Sequence, residues 1–339
     1  MDASSALDEL DFFFKDMGIH HLFMKKAHLC FDRLRASRRK IISGQGFATE
    51  ANCATLFAGT QSGKSTTVRE YMRGAVVDYC LETGLFPEGT PRNLVVQLQR
   101  KVIYVSVSGT STLTSLLEDI LRAFGDPKPQ RGTQGHKKER ILNYIWEFGT
   151  ELLIFDEMNH LKIGAKSGSI HMEATRVHNT LKDFLLGGCP VVFVGTGEAE
   201  GKVFSDLQIR ARCKERLFIG PLTWKNKAHQ SAYKEFCALL GLELKSLGLF
   251  PVRSNFLTRA IPRCLFFASG GYFGHTTNIV ALAARYALEE GADNVGWEHL
   301  KAASAEYTIF NGLAKYNPFE REEREQEQLK AASTEMLDA

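Results

Sequence analysis

The feature that most constrains this chain is the segment Ala58-Gly59-Thr60-Gln61-Ser62-Gly63-Lys64-Ser65-Thr66. It follows the pattern of a phosphate-binding loop, with Ala58 at the usual place of the first glycine. Small residues let the backbone N–H groups of the loop surround a triphosphate. Lys64 is expected to reach the β- and γ-phosphates, and the Ser65 hydroxyl is expected to bind Mg²⁺. The predicted nucleotide-binding residues are Gly59, Thr60, Gln61, Ser62, Gly63, Lys64, Ser65 and Thr66.

The segments on either side of this loop support the same interpretation. Residues 53–58 form a short apolar run typical of a buried strand, and residues 65–72 are typical of a helix. A helix that begins at Lys64 directs the positive end of its dipole at the phosphates. The alternative is a Gly-Lys-Ser turn at the surface, but strand, loop and helix together favour a nucleotide site with ATP and Mg²⁺ as cofactors.

A second motif, Glu151-Leu152-Leu153-Ile154-Phe155-Asp156-Glu157, is an apolar run that ends in two adjacent carboxylates. A buried strand that ends this way is expected to deliver its carboxylates to a cation or a reaction centre. We expect Asp156 to hold Mg²⁺ together with Ser65, and Glu157 to polarise the attacking water. The alternative, a strand that enters a polar turn, is weak after a phosphate-binding loop.

Composition limits the class of protein. The chain has 339 residues, of which 44% are hydrophobic, and a formal net charge of only +3, so a nucleic-acid partner would have to bind a local basic surface. Neither a signal peptide nor an apolar run of about 18 residues is present, which predicts a cytoplasmic protein without a membrane partner. The cysteines are scattered within apolar segments and are expected to be buried, reduced thiols.

Alternating strands and helices predict a doubly wound α/β core with a parallel sheet. Further strands are expected at 101–107, 190–197 and 216–219, and helices at 112–125, from about 137, and at 172–186. The composition becomes helical after residue 221. The predicted domains are a helical N-terminal segment 1–52, the α/β core 53–220, a helical lid 221–316 and a charged C-terminal tail 317–339.

Two basic segments are candidates for contact with DNA. The proline-broken segment 126–140 contains four predicted DNA-binding residues, Lys128, Arg131, Lys137 and Lys138. The alternative is an ordinary solvated loop. Residues 28–40 carry a second basic cluster, which could lie along nucleic acid or along a partner's acidic face, or simply form a solvated helix face.

Several blocks together resemble the TniB/TnsC family of AAA+ transposition ATPases, to which the phage Mu B protein is related. The resemblance covers roughly residues 50–305. It rests on the phosphate-binding loop, on the 153–157 strand end with Asn159-His160-Leu161, on Val192-Phe193-Val194-Gly195-Thr196-Gly197-Glu198-Ala199, on Asp206-Leu207-Gln208-Ile209 ahead of Arg212, and on Gly271-Tyr272-Phe273-Gly274.

The resemblance implies an AAA+ P-loop ATPase core with a small helical lid, which hydrolyses ATP to ADP and phosphate. Proteins of this family form ATP-dependent hexameric rings or helical filaments on double-stranded DNA and link a target-selector protein to a transposase. Thr196 matches the sensor position for the γ-phosphate. Arg212 is expected to act on the ATP of a neighbouring subunit, with Arg210 as the next candidate. The alternative role for Arg212 is a surface ion pair with Asp206 or Glu215.

Proteins of other classes share parts of this pattern. An AAA+ helicase or initiator loader would have the same ATPase motifs and a replication partner in place of a transposase. A P-loop kinase of small molecules would share only the phosphate-binding loop, and the adjacent carboxylates Asp156 and Glu157 argue against it.

Overall fold

A computed structural model describes residues 3–45, 50–109, 112–160 and 168–337. The chain divides into two compact units. The sheet unit comprises Phe23–Thr60 and Lys64–Ile219, and the helical unit comprises Met1–Leu22, Gln61–Gly63 and Gly220–Ala339.

The sheet unit is built on a five-stranded sheet with the strand order β2-β3-β4-β1-β5. All neighbouring strands are parallel. The strands are β1 Cys53–Ala58, β2 Val102–Ser106, β3 Leu152–Asp156, β4 Val191–Gly195 and β5 Cys213–Ile219. Because every strand runs in the same direction, the carboxyl ends of β1, β3 and β4 meet at one edge of the sheet. The predicted parallel α/β architecture is confirmed.

The helices surround this sheet or form the helical unit. In chain order they are α1 Ala3–Asp16, α2 Leu22–Ile42, α3 Lys64–Tyr71, α4 Val77–Glu82, α5 Arg92–Leu98, α6 Leu113–Phe124, α7 Gln134–Glu147, α8 Gly168–Leu186, α9 Gly197–Val203, α10 Leu207–Arg212, α11 Lys227–Ser246, α12 Ile261–Ala268, α13 Phe273–Glu289, α14 Trp297–Phe310 and α15 Pro318–Leu337. A π-helical segment, Met72–Val76, joins α3 to α4, and a 3₁₀ turn, Met158–His160, follows β3.

Both faces of the sheet are covered by apolar side chains. Every residue of β1, β3 and β4 is buried, as expected for parallel strands between two helical layers. Leucines and isoleucines of α6 pack on one face, while α2, α3 and α4 contribute to the cluster on the other. The Thr112 side chain caps α6, and Gly125 ends it in the left-handed conformation with φ 82°.

The N-terminal segment predicted at 1–52 is divided between the two units. Helix α1 belongs to the helical unit, where Asp11 pairs with Arg285 of α13 at 2.8 Å. Helix α2 belongs to the sheet unit. Its Arg35 is buried and donates to Glu151 at 2.9 Å. The basic cluster of α2 is therefore partly internal, because Arg38 also donates to backbone carbonyls in the interior.

The helical unit has an aromatic core around α13. Phe273 lies 4.6 Å from Phe236 and 6.0 Å from Tyr233 between ring centroids. The predicted charged tail forms α15, whose first turn buries Phe319 against Trp297. Within the described residues, no helix combines the length and apolar character needed to span a membrane. Residues 161–167, which include Leu161 of the Asn159-His160-Leu161 block, lie outside the described residues.

Candidate nucleotide-binding site

The phosphate-binding loop connects the end of β1 to the start of α3, as the sequence predicts. Gln61 and Gly63 have positive φ angles of 55° and 87°, a conformation that glycine adopts easily and other residues rarely do. Lys64 begins α3, and its Nζ donates to the carbonyl oxygens of Ala58 at 3.2 Å and Gly59 at 2.6 Å. The ammonium group therefore lies over the loop backbone.

Burial of Lys64 lowers the pKa of its ammonium group, while the charges of Asp156 and Glu157 act to raise it. Burial disfavours the charged form because it removes water from the ammonium group. A negatively charged phosphate beside Lys64 would replace that lost solvation. The position is thus suited to a cation that meets an anionic ligand.

Ser65 and Asp156 meet at the carboxyl edge of the sheet. The Ser65 hydroxyl donates to Asp156 Oδ2 at 2.8 Å. Tyr104, on the neighbouring strand β2, donates to the same oxygen at 2.9 Å, and the backbone N–H of Glu157 donates to Oδ1 at 2.8 Å. Asp156 is only 1% exposed, so these three donors hold its carboxylate in one orientation.

These groups fit a magnesium ion. Mg²⁺ prefers hard oxygen ligands, keeps several waters, and is usually bound by one or two protein groups with substrate phosphates. Ser65 and Asp156 present a hydroxyl and a carboxylate oxygen in direct contact beside the loop. The described residues contain no cluster of three or more His, Cys, Asp or Glu side chains that could hold a metal ion by themselves.

Glu157 has an unusual backbone. Its φ is 60°, and a residue other than glycine in this region costs about 1–3 kcal/mol of strain. The turn directs Glu157 away from buried β3, and its side chain is 41% exposed. Asn159 Nδ2 donates to Glu157 Oε2 at 3.2 Å. A solvent-accessible carboxylate thus lies beside a buried one, and the water-polarising role of Glu157 stays a prediction.

Thr196 follows β4 at the same edge of the sheet. Phe57 of β1 is the register partner of Gly195, so Thr196 lies next to the beginning of the phosphate-binding loop. Gly195 is closely packed, because a Cβ there would meet the Ala199 side chain at 2.9 Å. Thr196 is the N-terminal cap residue of α9, yet within the described residues its side chain forms no capping hydrogen bond. Its predicted sensor role stays a prediction.

Arg212 is the last residue of α10 and directly precedes β5, at the opposite end of the strands from the phosphate-binding loop. Its guanidinium pairs with Glu50 at 2.7 Å, and the side chain is 22% exposed. Neither alternative partner from the sequence is used, since Asp206 pairs with Lys182 and Glu215 pairs with Arg33. The ion pair forms because Glu50 precedes β1, the strand beside β5. Arg210 of the same helix is exposed.

The structure separates the four predicted DNA-binding residues into two pairs. Lys128 and Arg131 are exposed on the loop before α7. Lys137 is 3% exposed and pairs with Glu118 at 2.6 Å, while Lys138 pairs with Asp183 at 2.8 Å. The side chain of Lys137 faces the core because it lies on the inner face of α7 with Ile141 and Ile145. Lys137 is therefore corrected from a surface residue to a buried one.

Two residues of the site were missed by the sequence prediction. Tyr104 contacts Asp156, and Asn159 contacts Glu157. Tyr104 lies within the strand predicted at 101–107, and its hydroxyl reaches the carboxylate of Asp156 because β2 pairs with β3. Asn159 stands two residues after Glu157, and this spacing is the signal that could have identified it.

Comparison with known proteins agrees with this geometry. Residues 48–203 match the family model for an AAA domain. No curated protein matches the chain. The ORC1 protein of Aeropyrum pernix, solved in complex with DNA, is similar in structure with a TM-score of 0.55 at 16% identity, covering 86% of this chain and 66% of that protein.

Two further structures are similar at the same level. The ORC2 protein of Aeropyrum pernix, in ADPNP–ADP complexes, has a TM-score of 0.53 at 15% identity and covers 81% of this chain and 67% of that protein. Cdc6p of Pyrobaculum aerophilum has a TM-score of 0.53 at 16% identity, with 82% and 66% covered. The chain spans about two thirds of the length of these proteins. It has the AAA+ P-loop ATPase fold.

Proposed function

We propose that this protein is a Mg²⁺-dependent ATPase that hydrolyses ATP to ADP and phosphate and whose nucleotide state controls its assembly on double-stranded DNA. The observation that carries the proposal is the 2.8 Å contact between Ser65 Oγ and Asp156 Oδ2 beside Lys64. This contact joins the phosphate-binding loop to the end of β3. It unites, in one place, the groups that bind a phosphate and the groups that bind its metal.

Each residue of the site has a distinct role in this proposal. The loop N–H groups and Lys64 bind the phosphates, and Ser65 and Asp156 hold Mg²⁺, which when bound neutralises charge on the phosphate oxygens. Glu157 accepts a hydrogen bond from the attacking water and orients it, while Asn159 positions the Glu157 carboxylate. Thr196 senses the γ-phosphate from β4. Tyr104 holds Asp156 in its orientation.

Assembly into a homo-oligomer would complete the site. Arg212 lies beyond the edge strand β5, where a neighbouring subunit could receive it. Two apolar side chains on this side are unusually exposed, Leu207 at 73% and Phe218 at 63%. Exposed apolar side chains on an edge strand and the helix that leads into it are typical of a protein interface. We infer that this edge packs against the nucleotide site of the next subunit in a ring or a helical filament.

A substitution at Glu157 tests the ATPase. Glu157→Gln should keep ATP binding and lose turnover, because the amide cannot accept a proton from water. Glu198→Gln, at an exposed glutamate of α9, is the matched control and should retain activity. Lys64→Ala should abolish tight ATP binding in a fluorescent nucleotide titration. Hydrolysis by Glu157→Gln at the wild-type rate would disprove the assigned role of Glu157.

Binding to DNA can be tested through its salt dependence. Lys128 and Arg131 are the exposed members of the predicted set. Reversing both charges should lower the log–log salt slope of DNA binding by about 1.8, since each phosphate contact contributes about 0.9. Charge reversal at the exposed Lys225 and Lys227, which lie outside both basic segments, is the control. An unchanged slope in the loop variant would place the DNA surface elsewhere.

The biological process remains a choice between two AAA+ roles. The resemblance to TniB/TnsC proteins supports a regulator of transposition that links a target selector to a transposase. The structural similarity to the DNA-bound ORC1 protein supports the second candidate, an initiator or helicase loader. Purified transposase and replicative helicase can be compared for nucleotide-dependent capture on DNA-bound protein. Capture of the transposase alone supports the first role, and capture of the helicase alone supports the second.

A further inference from the structure

Two cysteines lie side by side where the outer strand pair of the sheet unit begins. Cys53 is the first residue of β1, Cys213 is the first residue of β5, and the two are direct register partners. Adjacent strands lie about 4.8 Å apart, and a disulfide joins Cα atoms about 4.4–6.8 Å apart. Cys53 belongs to the main core cluster and Cys213 packs against that cluster, so both side chains point to the same face.

The backbone around this pair holds the two residues together. The Cys53 thiol donates to the carbonyl oxygen of Ile209 at 3.6 Å, and the same carbonyl accepts the backbone N–H of Cys213. Directly after the pair the register shifts, because Ala54 is the partner of Glu215. The residue between Cys213 and Glu215 is thus a bulge, which is a feature that local backbone geometry retains.

The two thiols differ in access and in acidity. Cys53 is fully buried, whereas Cys213 is partly exposed, so a small oxidant can reach Cys213 first. The interaction between the neighbouring thiols acts to lower the pKa of Cys213 and to raise the pKa of Cys53, and burial raises the pKa of Cys53 further. A thiol of lower pKa has a larger thiolate fraction, and the thiolate is the nucleophile in oxidation.

We propose that Cys53 and Cys213 form an oxidant-sensitive site in which a peroxide converts the two thiols into a cross-strand disulfide. The Cys213 thiolate attacks one peroxide oxygen, an S–O bond forms, the O–O bond breaks, and hydroxide leaves and takes up a proton to become water. Cys53 sulfur then attacks the sulfenic sulfur, an S–S bond forms, and the S–O bond breaks. The leaving hydroxide takes the Cys53 proton. Two thiols lose two electrons and one peroxide becomes two waters.

A third thiol provides an internal competitor. Cys30 of α2 is close enough to Cys213 to interact with it electrostatically, and burial raises the pKa of Cys30 to about 12. Cys30 does not share a backbone carbonyl with the pair. We therefore expect Cys53, and not Cys30, to resolve the sulfenic acid on Cys213. The resulting disulfide would directly follow Arg212 in the chain.

The test uses the full chain, treated with hydrogen peroxide in its folded state and then alkylated under denaturing conditions. Peptide mapping by mass spectrometry identifies which cysteines are joined. The expected product is an intramolecular 53–213 disulfide that dithiothreitol reverses and whose yield does not change with protein concentration. Alkylation of the untreated protein should modify Cys213 at least tenfold faster than the buried Cys189, which serves as the control thiol.

Variants separate the two steps. Cys53→Ser should leave a sulfenic acid on Cys213 that a dione probe labels, and Cys213→Ser should leave Cys53 unmodified. Cys189→Ser should form the disulfide as the wild type does. A 30–213 disulfide, oxidation of Cys213 without any disulfide in the wild type, or no modification of the folded protein would each overturn the proposal. The wild-type mapping decides the question even if a buried substitution impairs folding.

Discussion

The ion pair between Arg212 and Glu50 gives a direct test of whether Arg212 acts on ATP. The pair is 2.7 Å long, with the side chains 22% and 55% exposed. A partly exposed pair of this kind contributes about 0–1 kcal/mol. If stabilising the fold were the only role of Arg212, Arg212→Ala and Glu50→Gln would have equally small effects.

The trans-acting role predicts a large asymmetry between these two substitutions. A cation that completes the charge at a γ-phosphate contributes about 10³–10⁵ in rate, which corresponds to about 4–7 kcal/mol at 1.36 kcal/mol for each factor of ten. Arg212→Ala should therefore lower DNA-stimulated ATPase activity by about 10³-fold or more. Glu50→Gln removes only the competing partner, so it should change the rate by less than about fivefold and in the upward direction.

The assay is steady-state ATP hydrolysis with saturating double-stranded DNA. Arg210→Ala tests the other candidate arginine on the same helix and should retain activity if Arg212 is the acting residue. Mixing Arg212→Ala with Glu157→Gln should restore part of the activity, because some interfaces then combine an intact Glu157 with an intact Arg212. Activity of Arg212→Ala within fivefold of the wild type would refute the reasoning. Failure of two co-assembling variants to complement would show that Arg212 does not act between subunits.

Three further substitutions test the packing of the sheet unit. Glu151→Ala should lower the free energy of unfolding by about 3–5 kcal/mol, because Arg35 then stays buried without the Glu151 carboxylate. Urea denaturation measures this change. The control is Arg33→Ala, at an exposed arginine of the same helix, which should lower the free energy of unfolding by about 0–1 kcal/mol. Lys137→Ala should lower the free energy of unfolding by up to about 3–5 kcal/mol and leave the salt slope of DNA binding by the folded protein unchanged. An altered salt slope would show that Lys137 does contact DNA. Burial lowers the pKa of His178, so its stabilising contribution is complete above about pH 6.5 and declines as the pH falls below that value. His178→Gln should therefore reduce the loss of stability between pH 7.5 and pH 5.5. An unchanged pH dependence of stability in this variant would contradict the account.

The strands and the ATPase motifs were predictable because their signals are local. An apolar run bounded by polar residues marks a buried strand, and each of the five strands lies within or overlaps a predicted one. The capped helix α6 was predictable for the same reason, since Thr112 and Gly125 act through the backbone of their own turns. Short helices such as α9 and α10 carry too few residues to show a period.

The sequence by itself determined that this chain forms a parallel α/β core with a phosphate-binding loop and a carboxylate pair at a strand end. Small residues before Lys64 and charges after an apolar run have few other physical explanations. Only the tertiary structure decided which side chains meet. Burial of Lys137, the contact of Tyr104 with Asp156, the Glu50 partner of Arg212 and the pairing of Cys53 with Cys213 all depend on strand order and helix orientation. Strand order is set by packing between residues far apart in the chain, which no local pattern records.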